Sequence, residues 1–201
     1  MKIKRLVKLI SIIIHNKIRF NDDYFNITRQ DHINLYNGCF NQKNDLLNIQ
    51  IPDEGQIEYI LNKLLAGSKL EPEYTSMVLI YLDLFEMAPE HIVIDKFNFL
   101  PLLFVIFCLI SKLNDDLYVG LHDYQKLIRK SVPIFQYCNL ARIEGFLLKS
   151  VEYHATINTQ IWKETNNNLQ KFDQWDQQQQ KYYCIFPLQW HIVQYCQYTG
   201  I

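Results

Sequence analysis

The stretch NFLPLLFVIFCLISKLNDD, residues 98–116, decides the fold of this chain. Its apolar residues run from position 99 to position 110 and would cover every side of a helix, and a lysine and two aspartates then close the segment. A helix that is apolar all round belongs in the middle of a bundle, and this run is shorter than the roughly 20 residues that span a membrane. The pattern therefore predicts a buried central helix, with Pro101 in its first turn, where a missing N–H costs least.

Four further helices are predicted around the central one. Residues 52–68 begin with Pro-Asp-Glu, carry apolar residues at helical spacing and end at Gly-Ser. Residues 71–90, 121–131 and 135–153 show comparable spacing and stop signals. Together these segments predict an all-α fold, a five-helix bundle whose middle helix is hydrophobic on all sides.

The two ends of the chain differ in composition from this middle part. We expect residues 1–53 to form an N-terminal helix over 1–14 and an irregular, extended arm over 15–53, where Asn, Asp and Gly are frequent. One short helix within this arm is an open alternative. Residues 54–157 form the predicted helical domain. Residues 158–201 form a C-terminal extension that is first polar and rich in Gln, then apolar and aromatic.

The composition argues against several classes of protein. With 20 Lys+Arg against 21 Asp+Glu, the chain has no basic excess of the kind that nucleic-acid binders usually show, although this balance leaves room for a local basic patch. Its five cysteines are scattered without a C-x-x-C pair, which argues against a zinc site or a disulfide framework and favours a reducing, intracellular compartment. The basic start lacks a cleavage site for a signal peptide. We expect no nucleic-acid partner and no membrane partner.

Catalytic motifs are equally lacking in the sequence. There is no G-x-S-x-G, no phosphate-binding glycine loop and no H-E-x-x-H, and the six histidines are dispersed. We therefore expect a protein that is not an enzyme and that uses no cofactor and no metal.

Two charged positions in apolar surroundings are candidates for binding a partner. Lys112 closes the central helix, and Glu144 lies between apolar residues of the predicted helix over 135–153. One interpretation makes Lys112 a helix-end lysine that reaches water, Glu144 an exposed acid, and Asp115 and Asp116 caps of the next turn. The other pairs Lys112 with Glu144 across two packed helices, so that the pair presents a donor and an acceptor to another chain.

Three segments in this order resemble the cyclin box. They are MVLIYLDLF (77–85), NFLPLLFVIFCLISKLNDD (98–116) and LARIEGFLLK (140–149). The sequence is most similar to the phosphate-pathway type of cyclin, whose pattern reads roughly aLIYiDRl, NvhRLLltslllAsKfxDD and ELnrLExxFL. The resemblance covers about residues 55–157, with one residue fewer in the last motif.

The resemblance implies a fold, a partner and a set of site residues. In cyclins, the matching lysine and glutamate hold backbone groups of a cyclin-dependent kinase just before its C-helix, so Lys112 and Glu144 would make that contact here. Asp115 and Asp116 fall on the acidic pair of the family. Two arginines of the family pattern are replaced, by Leu84 and Pro101.

Two functions follow as expectations. The first is a cyclin-like regulatory subunit that binds a protein kinase of the cyclin-dependent type. The alternative is a non-catalytic structural subunit of a large assembly, with or without a kinase. The abundance of Asn, Gln, Ile, Lys and Tyr suggests a protist with an AT-rich genome, for which a ciliary complex is one example of such an assembly. Cytoplasm, nucleus and cilium are all compatible with these expectations.

Overall fold

The described part of the chain is built from α-helices and one 3-10 helix. A computed structural model of it describes residues 3–25, 31, 39, 50–68, 70–114, 120–124, 126 and 139–179. The helices are α1 (Ile3–Phe25), α2 (Glu54–Ser68), a 3-10 helix (Pro72–Ser76), α3 (Met77–Met87), α4 (Phe99–Asn114), α5 (Leu140–Ser150) and α6 (Thr159–Gln179). No β-strand occurs in these ranges, so the prediction of an all-α fold is confirmed.

Helix α4 is the buried helix that its apolar sequence predicts. Every side chain from Phe99 to Ser111 is buried, and α4 contacts α2, α3 and α5. Pro101 is the third residue of the helix, within the first turn, where its backbone nitrogen has no helical acceptor to bond. Because polar atoms are absent from most of these side chains, the burial of α4 is a direct consequence of the hydrophobic effect.

The start of α4 is held by two side chains that bond each other's backbone. The Asp95 Oδ1 atom accepts from the N–H groups of Phe97 and Asn98, at 2.7 and 2.8 Å. In return, the Asn98 Oδ1 atom accepts from the Asp95 N–H at 2.9 Å, and its Nδ2 atom donates to the Val93 carbonyl at 2.8 Å. These bonds satisfy backbone groups that a helix start leaves without intrahelical partners.

Helix α1 is longer than predicted, and the prediction of an irregular segment from residue 15 is wrong as far as Phe25. The helix continues because a buried stripe continues: Ile14, Ile18 and Asn21 are buried at spacings of four and three residues. The Asn21 amide donates to the Ile94 carbonyl at 2.7 Å, which removes the cost of burying it. The remainder of the predicted arm, apart from residues 31, 39 and 50–53, lies outside the described residues.

The helix predictions next to α4 are confirmed with changed ends. Residues 52–68 give α2, and residues 71–90 give a 3-10 helix followed by α3, which ends before Pro89. Only residues 121–124 and 126 of the predicted helix over 121–131 are described, and they are helical. The helix predicted over 135–153 is α5, and the part of that prediction before residue 139 lies outside the described residues.

Helices α1 and α6 share the core of the predicted helical domain. A continuous cluster of buried side chains runs from Leu6 to Leu169, and α1 contacts α2, the 3-10 helix and α6. The boundaries at residues 53 and 157 stay predictions. Within the described ranges, no helix combines the length and the apolar character that crossing a bilayer requires.

Trp162 attaches α6 to the 3-10 helix. Its ring stacks on Tyr74, with 5.2 Å between ring centroids and an angle of 6° between ring planes. Its Nε1 atom donates to the Ser76 hydroxyl at 2.9 Å. A polar helix such as α6 has little apolar surface to bury, so this aromatic anchor supplies much of its specific attachment.

We expect Trp162→Phe to lower the free energy of unfolding by about 1 kcal/mol, because the hydrogen bond to Ser76 is lost while ring stacking on Tyr74 is kept. Urea denaturation followed by circular dichroism measures the loss. In a double-mutant cycle, Trp162→Phe should lower the free energy of unfolding by a smaller amount when Ser76 has already been replaced by alanine. An equal cost in both backgrounds would contradict the role of the hydrogen bond.

Candidate functional site

Helix α5 places Glu144 against the end of α4. Asn139 precedes the helix, and its side-chain oxygen accepts from the Arg142 N–H at 3.1 Å, which defines the first turn. The inner face predicted for this helix is confirmed, because its apolar members are buried. They are Leu140, Ile143, Leu147 and Val151. This face packs α5 on α4 and leaves Glu144 at the edge of the contact.

Lys112 and Glu144 form an ion pair across the two helices. The Lys112 Nζ atom lies 2.7 Å from the Glu144 Oε1 atom. The lysine side chain is 31% exposed and the glutamate side chain 14% exposed, so the pair sits at the rim of the core, with the cation nearer to solvent. The predicted pairing of these side chains is therefore confirmed, and their binding of a partner stays a prediction.

Lys112 also suits its place at the end of α4. It lies in the last turn, where the carbonyl groups carry a partial negative charge that favours a cation. Its stem leaves a helix that is buried as far as Ser111, and its ammonium group emerges beside α5. The two interpretations of this lysine thus describe one arrangement, a helix-end lysine that is also half of an interhelical pair.

Cys108 lies one turn before Lys112, and its Sγ atom is 3.9 Å from the Glu144 Oε1 atom. Burial raises the pKa of the Cys108 thiol to about 12; the Lys112 charge opposes this shift, and the Glu144 charge adds to it. The thiol is therefore neutral near pH 7, and a neutral thiol is neither a good nucleophile nor a good metal ligand. Cys108 packs against the pair rather than adding chemistry to it.

The arrangement can recognise a peptide backbone. A partly exposed ammonium group donates hydrogen bonds to carbonyl oxygens, and a carboxylate accepts them from N–H groups. Because the pair is held by two packed helices, little conformational entropy is lost when a partner binds it. Leu113, which is 47% exposed, adds apolar surface beside the lysine.

Asp115 and Asp116 were also predicted to bind a partner. Both lie outside the described residues. Within the described ranges, no three side chains of the kinds that ligate metals come together.

A second charged cluster was missed by reasoning from the sequence. Lys17 of α1 contacts Asp83 and Glu86 of α3, and its Nζ atom lies 3.1 Å from the Asp83 Oδ1 atom. The signal that was present is Asp83 itself, a carboxylate within the apolar run MVLIYLDLF. Its partner could not be found in the same way, because Lys17 is 66 residues away in a segment predicted to be irregular.

Comparison of the chain with protein-family models, with curated proteins and with solved structures finds no match. The structure itself therefore defines the class only as an all-α bundle with a charged pair at the rim of its core.

Proposed function

We propose that the chain is a cyclin-like regulatory subunit, without catalytic activity of its own, that binds a protein kinase of the cyclin-dependent type through Lys112 and Glu144. The single observation that carries this proposal is the 2.7 Å contact between the Lys112 Nζ atom and the Glu144 Oε1 atom. The resemblance of residues 55–157 to the cyclin box implies such a pair at this position, and no local rule of helix formation demands it.

Binding would act on the kinase through a shift in its conformational equilibrium. A kinase is active when a glutamate of its C-helix pairs with a strand lysine that positions ATP phosphates. A subunit that docks beside this helix favours the active state by the difference between its affinities for the two states. An interface that is stable enough for this role should bury about 1,200–2,000 Å² in total.

The departures from the cyclin pattern concentrate this binding on few residues. Pro101 is buried within α4, and Leu84 is half-buried in α3. Both side chains are uncharged, so the charges of the two arginines in the cyclin pattern are missing here. Lys112 and Glu144 would then supply a larger share of the polar contacts. Exchanging their charges should therefore have a large effect on binding.

The decisive experiment exchanges the two charges in the full chain. Lys112→Glu combined with Glu144→Lys keeps an opposite-charge pair at the same place and reverses what it offers to a partner. We expect kinase activity recovered on the tagged chain from cells of its source to fall at least about tenfold, equivalent to about 1.4 kcal/mol of binding free energy. Circular dichroism should show an unchanged helical content.

The matched control exchanges an exposed pair. The Lys126 Nζ atom lies 3.4 Å from the Asp123 Oδ1 atom, with side chains 58% and 61% exposed. Lys126→Asp with Asp123→Lys should leave kinase recovery unchanged. The proposal is wrong if the unmodified chain recovers no kinase, or if the exchange at Lys112 and Glu144 has no more effect than this control.

A second candidate function is a structural subunit of a large assembly, such as a ciliary complex. The observation that favours it is a run of exposed aromatic rings on α1. Phe20 and Tyr24 stack with ring centroids 5.5 Å apart, and the rings of Tyr24 and Phe25 meet edge to face at 5.0 Å. These three side chains are 45%, 71% and 39% exposed, which is typical of protein contact surfaces.

The same recovery experiment distinguishes the two functions. If the chain is a structural subunit, Phe20→Ser with Tyr24→Ser should release its co-purifying subunits, and the charge exchange at Lys112 and Glu144 should not. Loss of a kinase with the charge exchange alone supports the regulatory function.

A further inference from the structure

Helix α1 is attached to α3 by one cation that serves two carboxylates. The Lys17 Nζ atom lies 3.1 Å from the Asp83 Oδ1 atom and also contacts the Glu86 Oε2 atom. Asp83 and Glu86 are three residues apart, so they share one face of α3. The side chains of Lys17 and Asp83 are only 13% and 8% exposed, and the cluster of three carries a net charge of −1 when both acids are ionised.

The two carboxylates differ in how well the structure supports their charge. Glu86 is 29% exposed and keeps contact with water. The second oxygen of Asp83, Oδ2, is buried and has no hydrogen-bond partner. An ionised carboxylate with one oxygen in this state is costly, because burial removes its hydration and nothing replaces it. Of the two acids, Asp83 is therefore the one that binds a proton more readily.

We propose that Asp83 is a proton-binding switch that sets how firmly α1 is held on α3, with the protonated form giving the tighter attachment. Protonation neutralises the buried Asp83 carboxylate, whose charge is only partly compensated because Lys17 contacts one of its two oxygens. Lys17 keeps its ion pair with Glu86, so the cation is not left alone. The three groups then carry no net charge, and the contact between α1 and α3 persists at a lower desolvation cost.

The electrostatics of the cluster agree with Asp83 being the group that binds the proton while Lys17 stays charged. Burial raises the pKa of the Asp83 carboxyl from 3.8 to about 6; the Lys17 charge opposes the shift, and the Glu86 charge adds to it. The pKa of Lys17 is affected most by burial, which lowers it, but the two carboxylates together outweigh burial and raise it. Lys17 is thus protonated throughout the range in which Asp83 titrates.

The charged and titratable groups around Asp83 come from few elements. Among the described residues, α1 contributes Lys17 and α3 contributes Glu86. Helix α4 has one titratable side chain between positions 99 and 110, the buried Cys108. The 3-10 helix and α6 also contact α3 but contribute no charge that acts on Asp83. His91 also contacts this turn, with its Nδ1 atom 2.6 Å from the Glu86 carbonyl oxygen. The experiment therefore compares two proteins that both contain His91, so that the difference between them reports on Asp83.

The sign of the pH dependence follows from the direction of the shift. A folded-state pKa above the unfolded value means that the folded chain binds the proton more tightly. The stabilisation from Asp83 is therefore fully present below about pH 3.8 and is lost as the pH rises through about 6. For a carboxylate with a lowered pKa, the free energy of unfolding would instead rise with pH.

The test compares the full chain with Asp83→Asn, a neutral replacement of the same shape, in urea denaturation between pH 3 and 7.5. Near pH 3, below the pKa of Asp83 in the unfolded chain, the two proteins should be similarly stable. Above pH 6.5 the Asn variant should be the more stable one, by up to on the order of 100-fold in the unfolding equilibrium constant. Hydrogen exchange of residues 15–25 should slow in the variant over the same range.

The control is Asp22→Asn, which removes another carboxylate of α1 from an ion pair, that between the Asp22 Oδ1 and Lys96 Nζ atoms at 2.7 Å. Its stability relative to the unmodified chain should show no inflection near pH 6. A pH-independent difference for Asp83→Asn, or a variant that is less stable above pH 6.5, overturns the proposal. If the variant does not fold, carboxyl-carbon NMR of the unmodified chain decides: an Asp83 pKa near 6 supports the proposal, and one near 4 overturns it.

Discussion

Phe107→Ala should lower the free energy of unfolding by about 3–5 kcal/mol, the largest loss we expect from any single truncation in this chain. Phe107 is fully buried in the middle of α4, the helix that contacts α2, α3 and α5. Removing the ring forfeits its burial and leaves a cavity that three surrounding helices cannot close without moving apart. Urea denaturation with far-ultraviolet circular dichroism measures the loss.

Leu113→Ala provides the matched control for this truncation. Leu113 belongs to the same helix, but its side chain is 47% exposed. Its truncation should change stability by less than about 1 kcal/mol, because an exposed side chain leaves no cavity. If Phe107→Ala and Leu113→Ala cost the same, α4 does not occupy the interior in the way described.

Asn98→Leu should destabilise the chain by about 2–6 kcal/mol, although leucine is similar in volume and more apolar. The Asn98 side chain accepts from the Asp95 N–H at 2.9 Å and donates to the Val93 carbonyl at 2.8 Å. Both Asn98 and Asp95 are almost fully buried. Leucine leaves those two backbone groups without partners, at about 1–3 kcal/mol each. Chemical denaturation is again the measurement.

The control for Asn98 is the asparagine at the other end of the same helix. Asn114 donates from its Nδ2 atom to the Ile110 carbonyl at 2.8 Å, but its side chain is exposed, and water can replace the lost bond. Asn114→Ala should cost less than about 1 kcal/mol. A loss of this small size for Asn98→Leu would show that the bonds at the start of α4 are not important for stability.

The two ends of α4 therefore have different tasks. The first end is fixed internally, since Asp95 and Asn98 satisfy the backbone before the helix begins. The other end presents Lys112 at the rim, paired with Glu144 of α5. A rigid start and a buried middle hold the ammonium group in one position, which the proposed recognition of a partner's backbone would require. Loss of stability at Phe107 or Asn98 should therefore also weaken partner binding, and stability must be measured beside it.

The candidate site was predictable from the sequence only in part. Lys112 could be located because an apolar run ends there. Its pairing with Glu144 was one of two interpretations of these residues, and the resemblance to the cyclin box favoured it. The spacing of four residues places Cys108 beside Lys112 on the same helix face, but a cysteine in an apolar helix is an ordinary core residue, so it was not predicted to belong to the site. The cluster of Lys17, Asp83 and Glu86 was not predicted, because its members are distant in sequence.

Local sequence patterns by themselves determined that the described part of the chain is helical, that residues 99–110 are buried, that α2 ends at the Gly-Ser pair and that α3 ends before Pro89. These features depend on hydrogen bonds and side-chain contacts between residues three or four apart. A short segment of sequence is therefore enough to predict them. Tertiary structure alone decided that α1 continues to Phe25 and that Lys17 meets Asp83. The polar second half of α1 is helical because it packs against elements far away in the chain. The buried Asp83 carboxylate is paired with Lys17 for the same reason. A local sequence pattern cannot predict either contact, because the contacting residues are distant in sequence.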